Sequence, residues 1–489
     1  MPRAHLAAAA IALLLTLGSC GTSADEGEID VSVIGERFRL PDPDRVPLSR
    51  ADKVLASATA EGLVSFDGNG QVQPGLAESW IVTSDGLSTI FRVRATKWRN
   101  GDDISGEDVA RSLSRSFGHD SRNPYAPLFK SVDAVIGMTG RVVEIRLHSP
   151  RPNLLQLLAQ PELGIRQDGS GTGAFRATAM TPARTRLMPV QNEDDPVAVG
   201  YDPVLLRTER GALAIARFVA GRSDLVLGGT FAEWPTVRTA ELRPGRLRFD
   251  PVQGLFGLAF VGKGSFTATS DVRAALAMAV DRLAMADAFD LPGWTTTERN
   301  LPAQLDSAQL PAIPDWSGNT FAQRRADAAQ RIASWRVGMR ATPVLRVALP
   351  RGPGMRILFA RLAADWAAIG VRAVAVAHDA PDADLRLIDA VAPNASANWY
   401  LTTLSCAAGL VCDAKGDMAL ESSRIADTLA ARGALIATAD AALASRASFI
   451  ALGVPLRWSL VDPQLSGWKE NVMGIHPLSE LRPARIRQD

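Results

Sequence analysis

Residues 358–376 have the pattern of a helix that stops at a glycine and leads directly into a strand. Leu358 and Trp366 lie on one helical face, Gly370 ends the helix, and a strand pattern follows at 371–376. Helices that pack on the faces of a sheet are built from such units. Similar patterns predict strands at 31–34, 90–95, 256–261 and 449–454, a helix capped by Ser105, and helices over 272–280 and 423–445. We therefore predict a mixed α/β protein.

The size and charge of the chain exclude several classes of protein. With 489 residues, of which 47% are hydrophobic, it is long enough for two or three domains with large cores. The 53 Lys and Arg residues are balanced by 52 Asp and Glu residues, which argues against a nucleic-acid partner. The sequence has no repeat period and no low-complexity tract, so solenoid and fibrous folds are excluded.

Residues 1–20 have the pattern of an export signal. Arg3 precedes an apolar run of 12 residues, 6–17, which is shorter than the roughly 20 residues that span a bilayer. Residues 17–20, Leu-Gly-Ser-Cys, resemble the lipobox of bacterial lipoproteins, in which the cysteine is acylated. We expect a lipid anchor on Cys20 and a flexible tether over 21–28. The alternative is an ordinary signal with a chance cysteine.

Two further cysteines, Cys406 and Cys412, have five residues between them. An even pair in an exported protein favours a local disulfide. The alternative is a free or metal-bound pair. A metal site needs more ligands, and the five histidines are scattered along the chain. We expect a disulfide and no metal.

The sequence lacks the common catalytic motifs and a complete nucleotide-binding motif. The sequence contains neither HExxH nor GxSxG. Residues 257–263 have the frame of a phosphate-binding loop, but Gly264 stands where Ser or Thr is needed to hold magnesium. We therefore predict a strand and a turn here, and no enzyme active site.

An ordered series of motifs resembles the family 5 extracellular solute-binding proteins, which include the peptide- and nickel-binding components of ABC importers. The first block covers 61–109 and contains PGLAESW at 74–80, KW at 97–98 and NGD at 100–102. Later matches are GTGAF at 171–175, GRSDL at 221–225, DVRAALAMAVDR at 271–282 and GW at 467–468. The resemblance extends over about residues 30–481.

The resemblance implies the type II periplasmic binding protein fold, with two α/β lobes and a ligand enclosed between them. Lobe I would cover 29–250 and include an insertion subdomain at 50–164. Lobe II would cover 251–453, and residues 454–489 would return to lobe I. Closure of the lobes would then be a hinge motion that the ligand favours.

The resemblance also implies a function without chemical change and without a cofactor. We expect a monomeric, lipid-anchored periplasmic protein that captures a peptide or peptide-like solute and delivers it to an ABC permease in the inner membrane. Arg273, Asp281 and Arg282 would then form solvated or interlobe ion pairs rather than a catalytic set. The alternatives are a receptor or scaffold lipoprotein of the same fold, an envelope hydrolase, and a carrier of nickel or a metal complex.

The sequence departs from the family in the ligand cleft. Peptide binders of this type often carry Trp-x-x-Asp-Tyr-x-Asp in lobe II, and its final carboxylate pairs with the peptide's amino terminus. Here the corresponding stretch, 384–394, reads DLRLIDAVAPN and keeps a carboxylate at Asp389. Polar and stacking contacts are expected from Asn394, Asn398, Trp399 and Tyr400, although the last two are equally expected in a core. By analogy, further cleft contacts are expected at Arg37, Phe231, Trp234 and Phe256.

Overall fold

A computed structural model describes residues 27–190, 201–262, 264–291, 293–305, 307–337 and 341–483. The predicted export signal, Cys20 and most of the predicted tether lie outside these residues.

The described residues form helices and strands that alternate along most of the chain. The helices are α1 (Arg50–Thr59), α2 (Gly106–Phe117), α3 (Leu154–Leu158), α4 (Gly211–Val219), α5 (Trp234–Arg238), α6 (Ser270–Met278), α7 (Arg282–Phe289), α8 (Phe321–Trp335), α9 (Pro353–Ala367), α10 (Ala397–Thr403), α11 (Ala414–Arg424) and α12 (Leu429–Ser445). The first strands are β1 (Ile29–Ile34), β2 (Val64–Phe66), β3 (Val72–Pro74), β4 (Ala77–Val82), β5 (Ser88–Val93), β6 (Val132–Met138), β7 (Val142–Leu147), β8 (Arg166–Gln167), β9 (Ser170–Gly171) and β10 (Phe175–Thr181). The remaining strands are β11 (Arg184–Pro189), β12 (Val204–Glu209), β13 (Leu225–Gly229), β14 (Leu247–Phe249), β15 (Gly254–Phe260), β16 (Val344–Leu349), β17 (Arg372–Ala377), β18 (Leu385–Val391), β19 (Phe449–Gly453) and β20 (Trp458–Val461).

Two mixed sheets organise the chain. The first has seven strands in the order β10-β11-β12-β1-β13-β20-β14, and the second has five in the order β17-β16-β18-β15-β19. We name the part built on the first sheet lobe I and the part built on the second lobe II. The chain passes between the sheets from β14 to β15 and returns from β19 to β20. The predicted lobe boundaries, 250/251 and 453/454, fall in these two connections and stay predictions.

A smaller antiparallel sheet, β4-β5-β7-β6, lies within the predicted insertion subdomain and has its own core. Phe91, Val109 and Ile145 are buried in this core. The predicted cap of α2 is confirmed, because the Ser105 side chain accepts from the backbone N–H of Asp108 in a capping box. Helix α1 packs instead with the core of the seven-stranded sheet through Leu55, although it was predicted within the subdomain.

The predicted unit of helix, glycine and strand is confirmed. Helix α9 is followed by Gly370, whose φ of 82° lies in the left-handed region that glycine tolerates, and then by β17. Trp366 on α9 is fully buried and donates from Nε1 to the carbonyl of Leu276 on α6, 2.9 Å away. This contact fixes α9 against α6 within lobe II.

The single helix predicted over 423–445 is wrong, because two helices occupy this stretch. Helix α11 ends at Arg424, and α12 begins at Leu429. The Thr428 side chain accepts from the N–H of Ala431 and starts the second helix. The carbonyl of Arg424 therefore lies at a helix end, where the last carbonyls lack donors from their own helix.

The expectation that Arg273 and Arg282 form solvated or interlobe ion pairs is also wrong. Both side chains are buried in lobe II and donate to backbone carbonyls. Arg273 donates from Nε and Nη2 to the carbonyl of Arg446, at 2.9 and 2.7 Å, just beyond the end of α12. Asp281 caps α7 by accepting from the N–H of Ala284 at 3.0 Å. These residues hold helix ends and turns in place.

Replacing Gly229 by alanine is expected to lower the free energy of unfolding by about 2 kcal/mol, because an added methyl group would overpack the core. A Cβ atom at this position would lie 2.1 Å from Cδ2 of Trp458. The indole ring is buried and fixed by a 3.0 Å hydrogen bond from Nε1 to the carbonyl of Thr230, so it cannot move aside. Urea unfolding of Gly229→Ala measures the loss. Gly318→Ala is the control, because a Cβ at Gly318 meets no atom of the described part of the chain within 4 Å. Equal stability of the two variants would contradict the prediction.

Candidate functional site

A cavity of about 760 Å³ lies between the two lobes. Lobe I contributes α1, the end of β13 and the turn at 124–130. Lobe II contributes the end of β18, α10, the loop at 405–408 and α11, while 457–459 approach from the returning connection. The volume is within the range of roughly 300–1,000 Å³ that is typical of ligand pockets.

The floor of the cavity carries an ion pair between Asp389 and Arg457. Nη1 of Arg457 donates to Oδ1 of Asp389 at 2.7 Å, and Nη2 donates to the Asp389 carbonyl at 3.2 Å. Strand β18 supplies the carboxylate, and the connection before β20 supplies the guanidinium. Both side chains are mostly buried, at 17% and 16% exposed. The one carboxylate kept from the peptide-binder motif is therefore neutralised by the protein itself.

The wall from lobe I is built around Lys53 on α1. Its Nζ lies 2.6 Å from Oε1 of the buried Glu162. Burial would lower the pKa of Lys53, but the charge of Glu162 outweighs it and raises that pKa, so this lysine stays charged. Nearby, the Tyr125 hydroxyl donates to Oε1 of Gln160 at 3.3 Å, and Gln160 donates from Nε2 across the cavity to the carbonyl of Pro393 at 3.4 Å.

The wall from lobe II contains a small cross-linked loop. Cys406 and Cys412 are joined through their sulfur atoms, and the loop that they close includes the lining residues 407 and 408. The N–H of Cys406 donates to Oδ2 of Asp417 at 2.9 Å. The Asp417 carboxylate lies within 4.8 Å of both sulfurs, but sulfurs bonded to each other offer no thiolate to a metal ion.

Contacts beside the cavity join residues 130–151 of the predicted insertion subdomain to α11. Nζ of Lys130 lies 3.0 Å from Oε1 of Glu421. The carbonyl of Arg424 accepts from the Ser149 hydroxyl at 2.9 Å and also from Nη2 of Arg151. The lobes are therefore closed over the cavity in this structure.

Of the predicted ligand residues, the structure places Asp389 and Trp399 on the cavity wall. Asn394 and Asn398 line a separate, very small cavity of about 30 Å³ behind Trp399. Tyr400 is buried in the core of lobe II, with its ring 4.8 Å from that of Trp399. Burial raises the pKa of the Tyr400 hydroxyl, as expected for a core tyrosine.

The other four predicted contacts do not line the cavity. Arg37 is exposed outside it. Phe231 and Phe256 stack at 4.3 Å in a core cluster that runs from one lobe into the other. Trp234 is buried in the same cluster and donates from Nε1 to the carbonyl of Phe289 at 2.8 Å. These aromatic side chains hold the junction of the lobes together rather than face a ligand.

Sequence reasoning missed most of the charged side chains on the wall: Arg50, Lys53, Lys130, Asp417, Glu421, Arg424 and Arg457. Asp417 follows the cysteine pair closely in sequence, so the predicted disulfide could have directed attention to it. Arg457 lies in the predicted return to lobe I, and a charged residue beside this connection between the lobes could have indicated a position in the cleft. The remaining side chains have no distinctive local pattern.

Comparison with known proteins identifies the family to which the chain belongs. Residues 71–386, more than half of the chain, match the family described as bacterial extracellular solute-binding proteins, family 5 middle. The chain is a family 5 solute-binding protein. The predicted resemblance is thereby confirmed, and the family is one of solute-binding proteins.

Curated relatives of this family 5 protein include a periplasmic oligopeptide-binding protein, OppA of Haemophilus influenzae. The two chains are 25% identical over 347 residues, which is 63% of each. The aligned part thus spans less than two thirds of that relative. Within the described ranges, no helix of the family 5 protein combines the length and the apolarity needed to cross a membrane.

Solved structures confirm the two-lobed fold. Haemophilus influenzae OppA in complex with the peptide RPPGFSPFR superposes with a TM-score of 0.82 at 18% identity, over 94% of this chain and 99% of that one. The Escherichia coli murein tripeptide binding protein MppA gives a TM-score of 0.83 at 18% identity, over 94% and 98%. The unliganded open form of MppA gives only 0.64, at 18% identity over 95% and 99%. The relative position of the two lobes in this family 5 protein is therefore more similar to that in the first MppA structure than to that in the open form.

Proposed function

We propose that this protein is the periplasmic substrate-binding component of an ABC importer, which captures a peptide or peptide-like solute and delivers it to a permease in the inner membrane. The observation that carries the proposal is the cavity between the lobes, whose walls come from both of them. A ligand there can contact both walls only when the lobes are closed, so its binding favours the closed state. The permease could then recognise occupancy by shape. Family membership and the oligopeptide-binding relative support the same function.

The proposal includes a lipid anchor on Cys20 and a monomeric protein. The anchor rests on residues 17–20, whose pattern resembles a lipobox. In this arrangement the tether at 21–28 would let the folded part of the protein move near the membrane that carries the permease. Metabolic labelling with an alkyne fatty acid tests the anchor, since labelling should be lost in Cys20→Ser.

A pool of peptides of three to five residues is expected to raise the unfolding temperature of the chain expressed from residue 21. A ligand at a hundred times its dissociation constant adds about 2.7 kcal/mol to the free energy of unfolding. In a protein of this size that corresponds to a shift of several degrees. Differential scanning fluorimetry measures the shift.

A matched pair of variants assigns the shift to the cavity. Ala407→Trp places an indole ring on the wall at an exposed loop position and should abolish the shift. Ala434→Trp adds the same ring at an exposed position of α12 outside the cavity and should leave the shift intact. No shift with any peptide would overturn the peptide-binding proposal and favour the receptor or scaffold alternative.

A further inference from the structure

A second large cavity lies where the predicted insertion subdomain meets the rest of lobe I. Its volume is about 770 Å³, and most of its wall is formed by the end of α1 with residues 59 and 61, by 94–99, by 103–105, by 140–141 and by 169–177. We name it the lobe I cavity. It shares no lining residue with the cavity between the lobes, and among the described residues none of its lining comes from lobe II. A ligand can therefore occupy it without closure of the lobes.

Two of the sequence motifs that carry the family resemblance meet at the lobe I cavity. These are KW at 97–98 and GTGAF at 171–175. The second motif passes directly against the chain at the end of α1, because a Cβ added at Gly171 would lie 2.4 Å from the Cβ of Ala60. Glycine permits such a close approach of two backbones. This part of the wall is therefore held in place by packing.

The charged side chains of the lobe I cavity are mostly basic. One of them is paired, since Nη2 of Arg94 lies 2.6 Å from Oε2 of Glu61. In the described part of the chain, no carboxylate oxygen lies within 4.0 Å of the other four, which are Lys97, Arg99, Arg141 and Arg176. With Glu61 and Asp103 as the carboxylates of the described wall, five basic side chains face two acidic ones, an excess of three positive charges. The charge of this wall favours an anion.

Three side chains of the same wall contain a buried polar atom that has no hydrogen-bond partner among the described residues. These atoms are Nε1 of Trp98, Nε of Arg94 and Oγ1 of Thr172. The Trp98 side chain is only 7% exposed, and its indole N–H can act only as a donor, as can the guanidinium of Arg94. A buried donor without an acceptor is costly, so the chemistry of this wall favours a ligand that brings acceptor oxygens.

The lobe I cavity also has an apolar part. Ile104, Phe175 and Trp98 line it and are buried, with 1%, 2% and 7% of their surface exposed. Small-molecule sites typically combine such apolar walls with a few polar or charged groups that orient the ligand. The wall therefore suits a ligand with both an apolar body and a charged group.

We propose that the lobe I cavity is a second ligand site, which binds a small organic anion with an aromatic or aliphatic body. The anionic group binds near Lys97 and Arg176, and the body packs against Trp98 and Phe175. A carboxylate, a sulfonate and a phosphate offer similar acceptor oxygens, so this chemistry is shared by several ligand classes. The site goes beyond the proposed function and does not rest on it, because no described residue of lobe II takes part.

A matched pair of fluorescent probes tests the requirement for an anion. The first is 8-anilinonaphthalene-1-sulfonate, and the second is N-phenyl-1-naphthylamine, which has the same rings without the sulfonate. We expect the sulfonate to bind the unaltered chain at least tenfold more tightly than the neutral probe, and to bind more weakly in 1 M NaCl than in 0.1 M NaCl because salt screens the charges. Fluorescence titration measures both affinities. Displacement by 1-naphthoate and by 1-naphthyl phosphate then ranks the carboxylate and the phosphate against the sulfonate.

Variants that fill one cavity or the other locate the bound probe. Ala95→Trp adds an indole ring at an exposed position on the wall of the lobe I cavity and should abolish binding of the sulfonate. Ala407→Trp fills the cavity between the lobes instead and should leave this binding intact.

A second pair of variants removes charge without adding bulk. The double variant Lys97→Gln/Arg176→Gln should weaken binding of the sulfonate about tenfold, since two ion pairs at exposed side chains are lost. Lys415→Gln/Arg222→Gln is the control, because these side chains are also exposed but line neither cavity, and it should leave the affinity unchanged.

Three results would overturn the inference. The first is no binding of the sulfonate, and the second is equal affinity for the neutral probe. The third is binding that is lost in Ala407→Trp, which would place the probe between the lobes. The two probes on the unaltered chain and the charge variants remain decisive even if Ala95→Trp does not fold. Peptide binding measured by thermal unfolding is unaffected by any of these results, so the proposed function stands or fails separately.

Discussion

Replacing Arg457 by methionine is expected to lower the free energy of unfolding by about 3 kcal/mol, because it leaves the carboxylate of Asp389 mostly buried without its counter-charge. The guanidinium makes a 2.7 Å contact with Oδ1 of Asp389, and it also donates to the carbonyls of Asp389 and Leu456 at 3.2 and 2.8 Å. Because the Arg457 and Asp389 side chains are only 16% and 17% exposed, solvent can screen the remaining charge of Asp389 only in part. Denaturant unfolding monitored by tryptophan fluorescence measures the loss.

The double variant Asp389→Asn/Arg457→Met separates the cost of an unpaired charge from the cost of lost packing. Removing both charges should restore at least half of the lost stability, since a buried pair as a whole contributes little while a broken pair costs much. Equal instability of the single and double variants would show that Arg457 acts through packing alone.

Asp440 on α12 is expected to make the protein less stable as the pH rises from about 4 to about 6. The side chain is 3% exposed, and its Oδ2 accepts from the N–H of Ala312 at 2.7 Å, while its Oδ1 has no hydrogen-bond partner among the residues that the structure describes. Burial raises the pKa of Asp440 from the ordinary 3.8 to about 6. Because the folded chain then holds this proton more tightly than the unfolded chain, ionisation penalises the folded state. The difference corresponds to about 3 kcal/mol lost by pH 7.

The variant Asp440→Asn isolates this contribution from all other titrating groups. The stability of the unaltered chain minus that of the variant should fall by about 2 kcal/mol between pH 4 and pH 7, because part of the total loss of about 3 kcal/mol already occurs below pH 4. Leu443→Ala on the same helix is the control, because it opens a cavity without removing an ionisable group and should shift stability by the same amount at every pH. A constant difference between the unaltered chain and Asp440→Asn across this range would contradict the prediction.

The parts of the fold that could be predicted from sequence are those that depend on local signals. The glycine at 370 and the apolar face of α9 define a helix and its end within some 20 residues, and the Ser105–Asp108 cap lies within four. The break between α11 and α12 was missed because residues 425–428 interrupt the helical pattern only briefly. Thr428 was a usable signal for a new helix start.

The cavity was harder to predict because its walls are made by residues far apart in the chain. Lys130 and Glu421 are separated by 291 positions, and Asp389 and Arg457 by 68. No local pattern states that Arg457 will neutralise Asp389. For the same reason Phe231 and Phe256 could not be assigned from sequence to a core at the lobe junction rather than to the cleft. Aromatic residues next to a strand that connects the lobes can lie either in such a core or in the cleft.

The predicted insertion subdomain contacts lobe II at the carbonyl of Arg424, which accepts from Ser149 and Arg151. Every amino acid supplies that oxygen, so a change of side chain at 424 removes no acceptor. The side chain at the same position lies in the cavity wall, is 4% exposed and donates to Glu421 and Thr402. A substitution at 424 would therefore change the cavity wall and lose these side-chain contacts, while the backbone carbonyl would still accept from Ser149 and Arg151.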